Sequence, residues 1–280
     1  ARMSNHGVWA SSFEWTHFDC HEWWYFSRSH YEVPIGCAVA YMVWVHAVPR
    51  VVNNPWKLRH SLALWNFLLA AFSMVGFMTS IRYVVPKIRD RGFHYMVCND
   101  DVMFGGHDPK SGAACYGPMG WVMTAFMLSK IPELVDTFFL VVRKRPVIFL
   151  HWYHHLTVLL GSWYAYACAN PSSIMFATVN YGVHSIMYTY YGLCIYTRAL
   201  NIIKKPITAL QLVQMVVGMS ITFAAGYYHS TGVECSKTYI DTYYFAWNLG
   251  LFGSYFLLFA KFYYDTYITT KRKGKGGKAA

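Results

Sequence analysis

Seven apolar segments follow one another along this chain of 280 residues. Each has roughly 20 residues, the length that a helix needs to cross the hydrocarbon core of a bilayer. With 55% hydrophobic and 13% charged residues, the chain also departs from the soluble average of about 25% charged. We therefore expect an all-α, polytopic membrane protein with seven transmembrane helices. The segments cover residues 33–49, 61–85, 118–141, 147–168, 173–196, 207–229 and 241–264.

The regions outside these segments predict no second domain. Residues 1–32 lack the continuous apolar core of a secretory signal peptide and are expected to be an aromatic-rich, interfacial lead-in. Residues 33–264 form the transmembrane domain. Residues 265–280, rich in Lys and Gly, are expected to be a basic, disordered tail.

Lys and Arg are distributed unevenly between the two sets of connecting loops. One set is almost free of acids, whereas the other balances its cations with Asp and Glu. Cytosolic loops carry an excess of cations, so the basic set and the C-terminus are predicted to be cytosolic and the N-terminus to lie on the other side. Such a face contacts anionic lipids or a polyphosphate ligand. No nucleic-acid partner is expected, because the cations are split among short loops. The basic set contains Arg50, Lys57, Arg59, Arg143, Lys144, Arg145, Arg198, Lys204, Lys205, Lys271, Arg272, Lys273, Lys275 and Lys278.

Three of the seven cysteines lie in loops that this topology places on the non-cytosolic side, where disulfides persist. We predict a disulfide between Cys98 and Cys235, which would tie the loop after the second segment to the loop after the sixth. Cys115 is the competing partner.

Ionisable side chains inside the third apolar segment are a strong functional signal, because such groups are costly in hydrocarbon and rare there. Lys130, Glu133 and Asp136 follow one another at a spacing of three, which keeps them on one helical face. An internal salt bridge that only locks two helices together is the structural alternative for Lys130 and Glu133.

Three histidines open the fourth segment and share one helical stripe: His151, His154 and His155. One histidine on an apolar face is usually structural, but a cluster of three indicates a site. The fifth and sixth segments carry further polar stripes. All of these stripes begin in or near the cytosolic half of their helices, so we expect them to meet in one buried cavity that opens toward the basic face. The further stripes are Asn180, His184, Tyr188 and Tyr191, then Thr208, Gln211 and Gln214.

Two kinds of chemistry could use these imidazoles. In membrane di-iron oxidases and desaturases histidines are metal ligands, but a two-iron site needs several histidine boxes and this chain supplies one. A single zinc, with Glu133 and Asp136 as oxygen ligands, stays open as a weaker alternative. The favoured reading is metal-free acid–base or nucleophilic catalysis, because an imidazole with a pKa of about 6.5 is mostly neutral at cytosolic pH. Cys168 and Cys194 are poorly placed as nucleophiles, because Cys168 lies about 20 Å along its helix from His155 and Cys194 lies about 15 Å along its helix from His184.

Five motifs, in order and spread over most of the chain, resemble those of the ELO family of fatty acid elongases. The motifs are NPWKLR (54–59), KIPELVDT (130–137), HWYHH (151–155), NYGVHSIMYTYY (180–191) and TALQLVQ (208–214). Members of this family are membrane enzymes that condense long-chain acyl-CoA with malonyl-CoA. HWYHH followed by LTVLL and SWY resembles the branch that acts on saturated and monounsaturated chains. The family's dilysine retrieval signal is incomplete, because Gly276 and Gly277 precede Lys278, so residence in the endoplasmic reticulum rests on the resemblance.

The resemblance implies a very-long-chain 3-oxoacyl-CoA synthase whose seven helices enclose a buried acyl tunnel. His154 would attack the thioester to give an acyl-imidazole, and His184 would stabilise the enolate or carbonyl oxygen. A direct ternary mechanism, with His151 or His155 as general base, is the alternative. The acyl-chain length would be set at the far end of the tunnel. We call this far end the floor of the tunnel, and the candidates for it are Trp163, Met175, Phe176 and Phe223.

The remaining expected roles follow from the same resemblance. His151 and His155 would orient the site, and Lys130, Glu133 and Asp136 would fix the third helix against the fourth. Hydrogen bonds would come from Asn180, Tyr188, Tyr191, Gln211 and Gln214, and phosphate contacts from Arg143, Lys144, Arg145, Lys204 and Lys205.

No cofactor or catalytic metal is expected beside the substrates acyl-CoA and malonyl-CoA. Expected partners are membrane lipids, the ketoacyl reductase, dehydratase and enoyl reductase of the elongation cycle, and a second copy of the chain. Seven crossings would also fit a receptor or a transporter. A receptor has no reason to carry histidines beside intramembrane carboxylates, and a transporter more often shows inverted repeats and broken helices.

Overall fold

The computed structural model describes residues 18–104, 112–197, 199–232 and 242–269. Helices make up the regular structure of these residues, and one isolated bridge joins Asp19 to Tyr116. The α-helices are α1 His21–Ser29, α2 Glu32–Val51, α3 Arg59–Arg91, α4 Phe93–Cys98, α5 Gly117–Ser129, α6 Val135–Val142, α7 Phe149–Ala167, α8 Ser173–Cys194, α9 Lys204–Ser230 and α10 Thr242–Tyr264. Short 3₁₀ segments cover Asp100–Val102, Pro132–Leu134 and Ala199–Ile203.

Four helical segments of the described residues are long and apolar enough to cross a membrane: α2, α3, the segment Ala199–Ser230 that contains α9, and the segment Phe245–Thr269 that contains most of α10. The chain is therefore a multi-pass membrane protein. The other three predicted crossings correspond to α5 with α6, to α7 and to α8. These helices carry the ionisable and amide side chains of the predicted site, so apolar composition alone does not identify them.

The third predicted crossing is not one continuous helix. Pro132 has no amide hydrogen and cannot continue the α-helical hydrogen-bond pattern. The chain instead tightens into the 3₁₀ turn Pro132–Leu134 between α5 and α6. Lys130 and Glu133 therefore lie at a break between two helices and not on one regular helical face.

The closest helix packing brings α3 along α8 and α9 along α10. Two glycines allow the first of these contacts. A Cβ atom at Gly76 would lie 2.5 Å from the ring of Tyr181, and one at Gly192 would lie 2.7 Å from the ring of Phe67. This tight pairing places the polar stripe of α8 beside the cavity that α6, α7 and α9 surround.

The described part of the lead-in is a helix that docks on the body of the protein. A disulfide joins Cys20 to Cys115. The indole Nε1 of Trp24 donates to the carbonyl of Ala167 at 3.1 Å, and Nε1 of Trp163 donates to the carbonyl of Ser27 at 2.8 Å. These contacts fix α1 at the C-terminal end of α7.

The disulfide of Cys115 removes it as a partner for Cys98, which corrects the competition expected from the sequence. Cys98 is itself disulfide-bonded. Cys235 lies outside the described residues, so its pairing with Cys98 stays a prediction. The other cysteines of the described residues, Cys37, Cys168 and Cys194, are free thiols.

The final helix extends into the segment that was expected to be a disordered tail. A π-helical turn covers Asp265–Thr269 directly after α10. Residues 270–280, with the basic cluster of the tail, lie outside the described range, as does Arg198.

Candidate active site

A cavity of about 520 Å³, here called the large cavity, lies among α6, α7, α8, α9 and the end of α10. The three histidines of α7 and the histidine of α8 all line it. The structure therefore brings together polar stripes from separate segments, as the sequence predicts. The predicted residues that line it are Asp136, Arg143, His151, His154, His155, His184, Tyr188, Tyr191, Lys204, Thr208, Gln211 and Gln214.

Several predicted residues do not line the large cavity. Lys130 and Glu133 are buried elsewhere, and Asn180 lines a second cavity. Of the expected phosphate ligands, Lys144 donates from Nζ to the carbonyl of Pro49 at 3.2 Å, and Lys205 lies over the ring of Tyr263. Arg145 is exposed and also stays outside. Arg143 and Lys204 are thus the predicted cations that border the cavity, and we call this border the basic mouth.

His151 is held by a chain of hydroxyl groups from two other helices. Its Nε2 lies 2.9 Å from Oγ1 of Thr137 on α6, and that hydroxyl lies 2.9 Å from the hydroxyl of Tyr41 on α2. The ring centroids of His151 and His155 are 4.5 Å apart. Because Nε2 already takes part in a hydrogen bond with Thr137, His151 is better suited to orienting its neighbours than to attacking a substrate.

Asp136 uses both carboxylate oxygens to join helices around the large cavity. The indole Nε1 of Trp65 donates to Oδ1 at 2.7 Å, and the hydroxyl of Tyr188 donates to Oδ2 at 2.7 Å. Nε2 of His155 lies 4.0 Å from Oδ2. The sequence predicts that Asp136 fixes its helix against α7, but its hydrogen bonds go to α3 and α8. The difference arises because helix packing brings these two side chains closer to Asp136 than the imidazoles.

Lys130 and Glu133 form a buried ion pair, with Nζ 2.7 Å from Oε1 and side-chain exposures of 2% and 4%. The hydroxyl of Ser129 donates to the same oxygen at 2.9 Å, and Nζ lies 4.2 Å from the ring centroid of Phe126. All four residues belong to one stretch of chain. The pair therefore lies across the break between α5 and α6, and its hydrogen bonds do not reach α7.

One carboxylate oxygen of this ion pair is left without a partner. Oε2 of Glu133 is buried and accepts no hydrogen bond among the described residues. Such an oxygen is costly to bury in a low-dielectric interior, so the Glu133 carboxylate depends on the nearby Nζ of Lys130.

His154 occupies the junction of two cavities. A second cavity of about 90 Å³, here called the small cavity, shares His154, Gln214 and Met215 with the large one. The ring centroid of His154 lies 5.0 Å from that of Tyr255 on α10 and 5.5 Å from that of His155. Within the described part of the chain, no residue makes a hydrogen bond with the ring of His154, in contrast with His151. Its ring is thus free to react with a ligand that extends through both cavities.

His184 is paired with an amide and packed against a phenol. Its Nε2 lies 3.2 Å from Nδ2 of Asn180, and its ring makes an edge contact with Tyr188 at 5.3 Å between centroids. Gln211 donates from Nε2 to the sulfur of Met187 at 3.0 Å. The α8 and α9 stripes thus supply several donors on the wall that faces α7.

Sequence reasoning missed Tyr41, Trp65 and Tyr255, which hold or contact the central carboxylate and imidazoles. No local pattern marks them, because single Tyr and Trp residues in apolar helices usually belong to the core. For Tyr255 the sequence does contain a signal, because Asn248 is an amide in an apolar helix and lies two helical turns before it. Both residues line the small cavity.

The four proposed floor residues have different positions. Phe176 lines the small cavity, whereas Trp163 and Met175 are packed in the core. Phe223 is exposed on the outside of α9, so it cannot serve as a floor.

The geometry of the histidines does not match a metal cluster. In the part of the chain that the structure describes, one group of three His, Cys, Asp or Glu side chains has its ligand atoms within 4.8 Å: Asp19, His21 and Cys115. That group lies beside α1, and the sulfur of Cys115 is already bound to Cys20. The imidazoles of the large cavity form no such group.

Comparisons with known proteins show which family this chain is similar to. The profile of the ELO family, described as the GNS1/SUR4 family, matches residues 26–275. A protein of Trypanosoma cruzi named very long chain fatty acid elongase 4 is 37% identical over 257 residues, which cover 89% of this chain and 85% of that protein. Very long chain fatty acid elongase 3 of Mus musculus is 36% identical, over 79% of this chain and 76% of its own length. Very long chain fatty acid elongase 6 of Drosophila melanogaster is 38% identical, over 77% and 66%.

Proposed function

The chain belongs to the ELO family, and from this premise we propose that it is the condensing enzyme of fatty acid elongation. The proposed reaction joins a long-chain acyl-CoA with malonyl-CoA and yields 3-oxoacyl-CoA, CO₂ and CoA. In this reading the protein is a very-long-chain 3-oxoacyl-CoA synthase. The names of its relatives support the reaction class, and the two connected cavities support the chemistry.

The observation that carries this proposal is the position of His154 between the large and the small cavity. The large cavity has a mostly apolar lining but also carries the imidazoles and amides of the predicted site, and Arg143 and Lys204 at its basic mouth suit the phosphates of CoA. The small cavity is mostly apolar and suits an acyl chain. A thioester that spans both would place its carbonyl carbon at His154.

In the first half-reaction, neutral His154 attacks the thioester carbonyl carbon. A C–N bond forms, the C–S bond breaks, and the ring proton goes to the leaving thiolate, which gives N-acylimidazole and CoA. The nucleophile replaces one difficult step by two easier ones. Tyr255 packs against the His154 ring and fixes its position.

In the second half-reaction, malonyl-CoA loses CO₂ and its enolate carbon attacks the acyl carbon. The C–N bond breaks, and the imidazole takes up a proton from solvent. His184 and Asn180, which contact each other on α8, stabilise the developing oxyanion in this proposal, because donors fixed in advance in a water-poor site are effective there. His151, three residues before His154, and His155, directly after it on the same helix, orient the site.

We further propose that all seven helical segments cross the membrane of the endoplasmic reticulum, with the N-terminus lumenal and the C-terminus cytosolic. Two features at opposite ends of α7 support this orientation. Its first turn follows Arg143 and the basic mouth, whereas its last turn contacts α1, which carries the Cys20–Cys115 disulfide. Cations favour the cytosolic side, and disulfides persist in the oxidising lumen.

Metal-dependent oxidation is the alternative function, and a direct assay separates the two. Detergent-purified protein would be incubated with palmitoyl-CoA and radiolabelled malonyl-CoA, with and without a chelator. We expect labelled 3-oxoacyl-CoA that is unaffected by the chelator. Chelator-sensitive turnover would favour a metal enzyme, and no turnover would favour a transporter or receptor.

The nucleophile is tested in the absence of malonyl-CoA. Wild-type protein is expected to release one CoA per active site from acyl-CoA and to carry an acyl group on His154 that mass spectrometry detects. His154→Ala should lose both signals. His229→Ala is the matched control, because this histidine is exposed at the end of α9. Normal CoA release by His154→Ala would contradict the assignment and favour His151 or His155 as general base.

A further inference from the structure

Three side chains of metal-binding types face one another where the start of α1 meets the loop before α5. Nδ1 of His21 lies 2.6 Å from Oδ1 of Asp19. The sulfur of Cys115 lies 3.7 Å from that nitrogen and 3.8 Å from that oxygen. We call these three residues the α1 cluster. Neither the large nor the small cavity is lined by any of them, so the cluster is separate from the proposed catalytic histidines.

The two sulfur distances match those between the ligand atoms of a tetrahedral zinc ion. Zinc binds sulfur at about 2.3 Å and nitrogen or oxygen at about 2.0–2.2 Å, which separates the sulfur from either lighter atom by about 3.6 Å. The nitrogen and the oxygen share a hydrogen bond and would have to move apart by about 0.8 Å. Asp19 allows this movement, because its side chain is 56% exposed. The ring of His21 is held in place by stacking on Phe104, with centroids 5.1 Å apart.

Backbone hydrogen bonds hold the two sides of the α1 cluster together independently of the side chains. The amide of Cys20 donates to the carbonyl of Cys115 at 3.1 Å, and the amide of Gly117 donates to the carbonyl of Phe18 at 2.8 Å. These two bonds form a short antiparallel bridge. The ligand atoms are therefore expected to stay close to one another when the disulfide between Cys20 and Cys115 is open.

The sulfur of Cys115 is bound to Cys20, and zinc binds a thiolate, so the disulfide must open before a metal binds. A dithiol opens it by exchange: the two sulfurs of the dithiol form a disulfide, and both cysteines become thiols. Zinc then takes the place of the Cys115 thiol proton, which is released to solvent. We propose that Asp19, His21 and the Cys115 thiolate then bind one Zn²⁺, with water at the fourth position.

The metal would replace the disulfide as a cross-link between the same two segments. Asp19 and His21 belong to the start of α1, whereas Cys115 belongs to the loop before α5. Zinc would thus keep α1 attached before the disulfide forms or after a dithiol has reduced it. A ligand set of thiolate, imidazole and carboxylate suits zinc and does not suit Mg²⁺ or Ca²⁺, which prefer oxygen ligands. This site goes beyond the proposed function, since it takes no part in the condensation.

Two single variants separate the zinc site from the general effect of a broken disulfide. Cys20→Ala and Cys115→Ala open the same bond, but Cys20→Ala keeps all three ligands and needs no reductant. The probe is Zn²⁺ alone, added to the detergent-purified full chain, which is then desalted and analysed for bound zinc. We expect about one zinc per chain in Cys20→Ala and none in Cys115→Ala or in oxidised wild type. Zinc should also raise the unfolding temperature of Cys20→Ala alone, because a ligand of the folded state stabilises it.

Further variants identify the ligands in the Cys20→Ala background. Added His21→Ala should raise the Kd for zinc by at least about 100-fold, since the loss of groups that only support a ligand already reaches that size. Added His30→Ala is the control: this histidine follows α1, pairs with Glu32 and should leave the Kd unchanged. With Co²⁺ in place of Zn²⁺, the Cys20→Ala protein should show a sulfur-to-metal charge-transfer band that Cys115→Ala lacks.

Three results would overturn the inference: no zinc on folded Cys20→Ala, equal zinc on Cys20→Ala and Cys115→Ala, or zinc that is kept after the loss of His21. Should Cys20→Ala fail to fold, wild type that has been reduced with a dithiol and desalted gives the same test. Its zinc binding should appear on reduction and disappear with His21→Ala. None of these measurements involves 3-oxoacyl-CoA, so the zinc site and the proposed function stand or fall separately.

Discussion

The hydroxyl of Tyr188 donates a hydrogen bond to Oδ2 of Asp136 at 2.7 Å and thereby joins α8 to α6. Trp65 of α3 donates to the other oxygen at the same distance. His155 of α7 lies 4.0 Å away. One carboxylate thus sets the mutual positions of the helices that surround His154.

Asp136→Ala is expected to destabilise the protein. It leaves the buried donors of Trp65 and Tyr188 without an acceptor, and each unpaired group costs about 1–3 kcal/mol. Thermal unfolding in detergent measures the loss. Asp265→Ala, at an exposed ion pair with Lys261, is the control and should change the stability by less than about 0.5 kcal/mol. Equal unfolding midpoints for the two variants would contradict the connecting role of Asp136.

The polar stripes could be predicted from the sequence because helix geometry is regular. Residues three or four apart share a face, so His151 and His155, like His184 and Tyr188, had to point the same way once their segments were helical. That these faces meet followed from the cost of exposing polar groups to lipid. The structure places all four on the large cavity.

Other features depend on tertiary packing, which leaves no local pattern. Cys20 and Cys115 are 95 residues apart, and their pairing requires the chain just before α1 to lie beside the loop that precedes α5. Trp65 reaches Asp136 only because α3 packs closely along α8. Pro132 marked a local disturbance in the third segment, but the sequence does not show that the chain would form a 3₁₀ turn there and enclose the Lys130–Glu133 pair.

The basic mouth makes a prediction about acyl-CoA binding. Lys204→Ala and Arg143→Ala should each raise KM for acyl-CoA about fivefold and leave kcat unchanged, because the lost contacts are made with substrate and transition state alike. The effect should shrink at high salt, since these contacts are electrostatic. Steady-state kinetics at two ionic strengths measures both quantities.

Neighbouring cations outside the large cavity provide matched controls for the basic mouth. Lys205→Ala and Arg145→Ala remove the same charge from adjacent positions and should leave KM within about twofold of wild type. If they raise KM as much as Lys204→Ala and Arg143→Ala do, the mouth attracts CoA through overall charge and not through the two residues at its border.

The Lys130–Glu133 pair predicts a strongly non-additive double-mutant cycle. Lys130→Met leaves Glu133 charged in the interior and should cost about 3–5 kcal/mol of stability. The double variant Lys130→Met, Glu133→Gln removes both charges and should recover most of that loss, because the break between α5 and α6 then buries neutral groups of similar shape. Unfolding midpoints of the four proteins give the coupling. Additive losses would show that each residue has an essential partner elsewhere.

The Cys20–Cys115 disulfide is expected to stabilise the folded protein. A bond that closes a loop of 95 residues is expected to contribute about 4 kcal/mol by restricting the unfolded chain. The variant Cys20→Ser, Cys115→Ser should therefore unfold at a lower temperature, whereas Cys37→Ser, which removes a free thiol, should not. Equal unfolding temperatures for the double variant and wild type would show that the hydrogen bonds of Trp24 and Trp163 hold α1 in place without the disulfide.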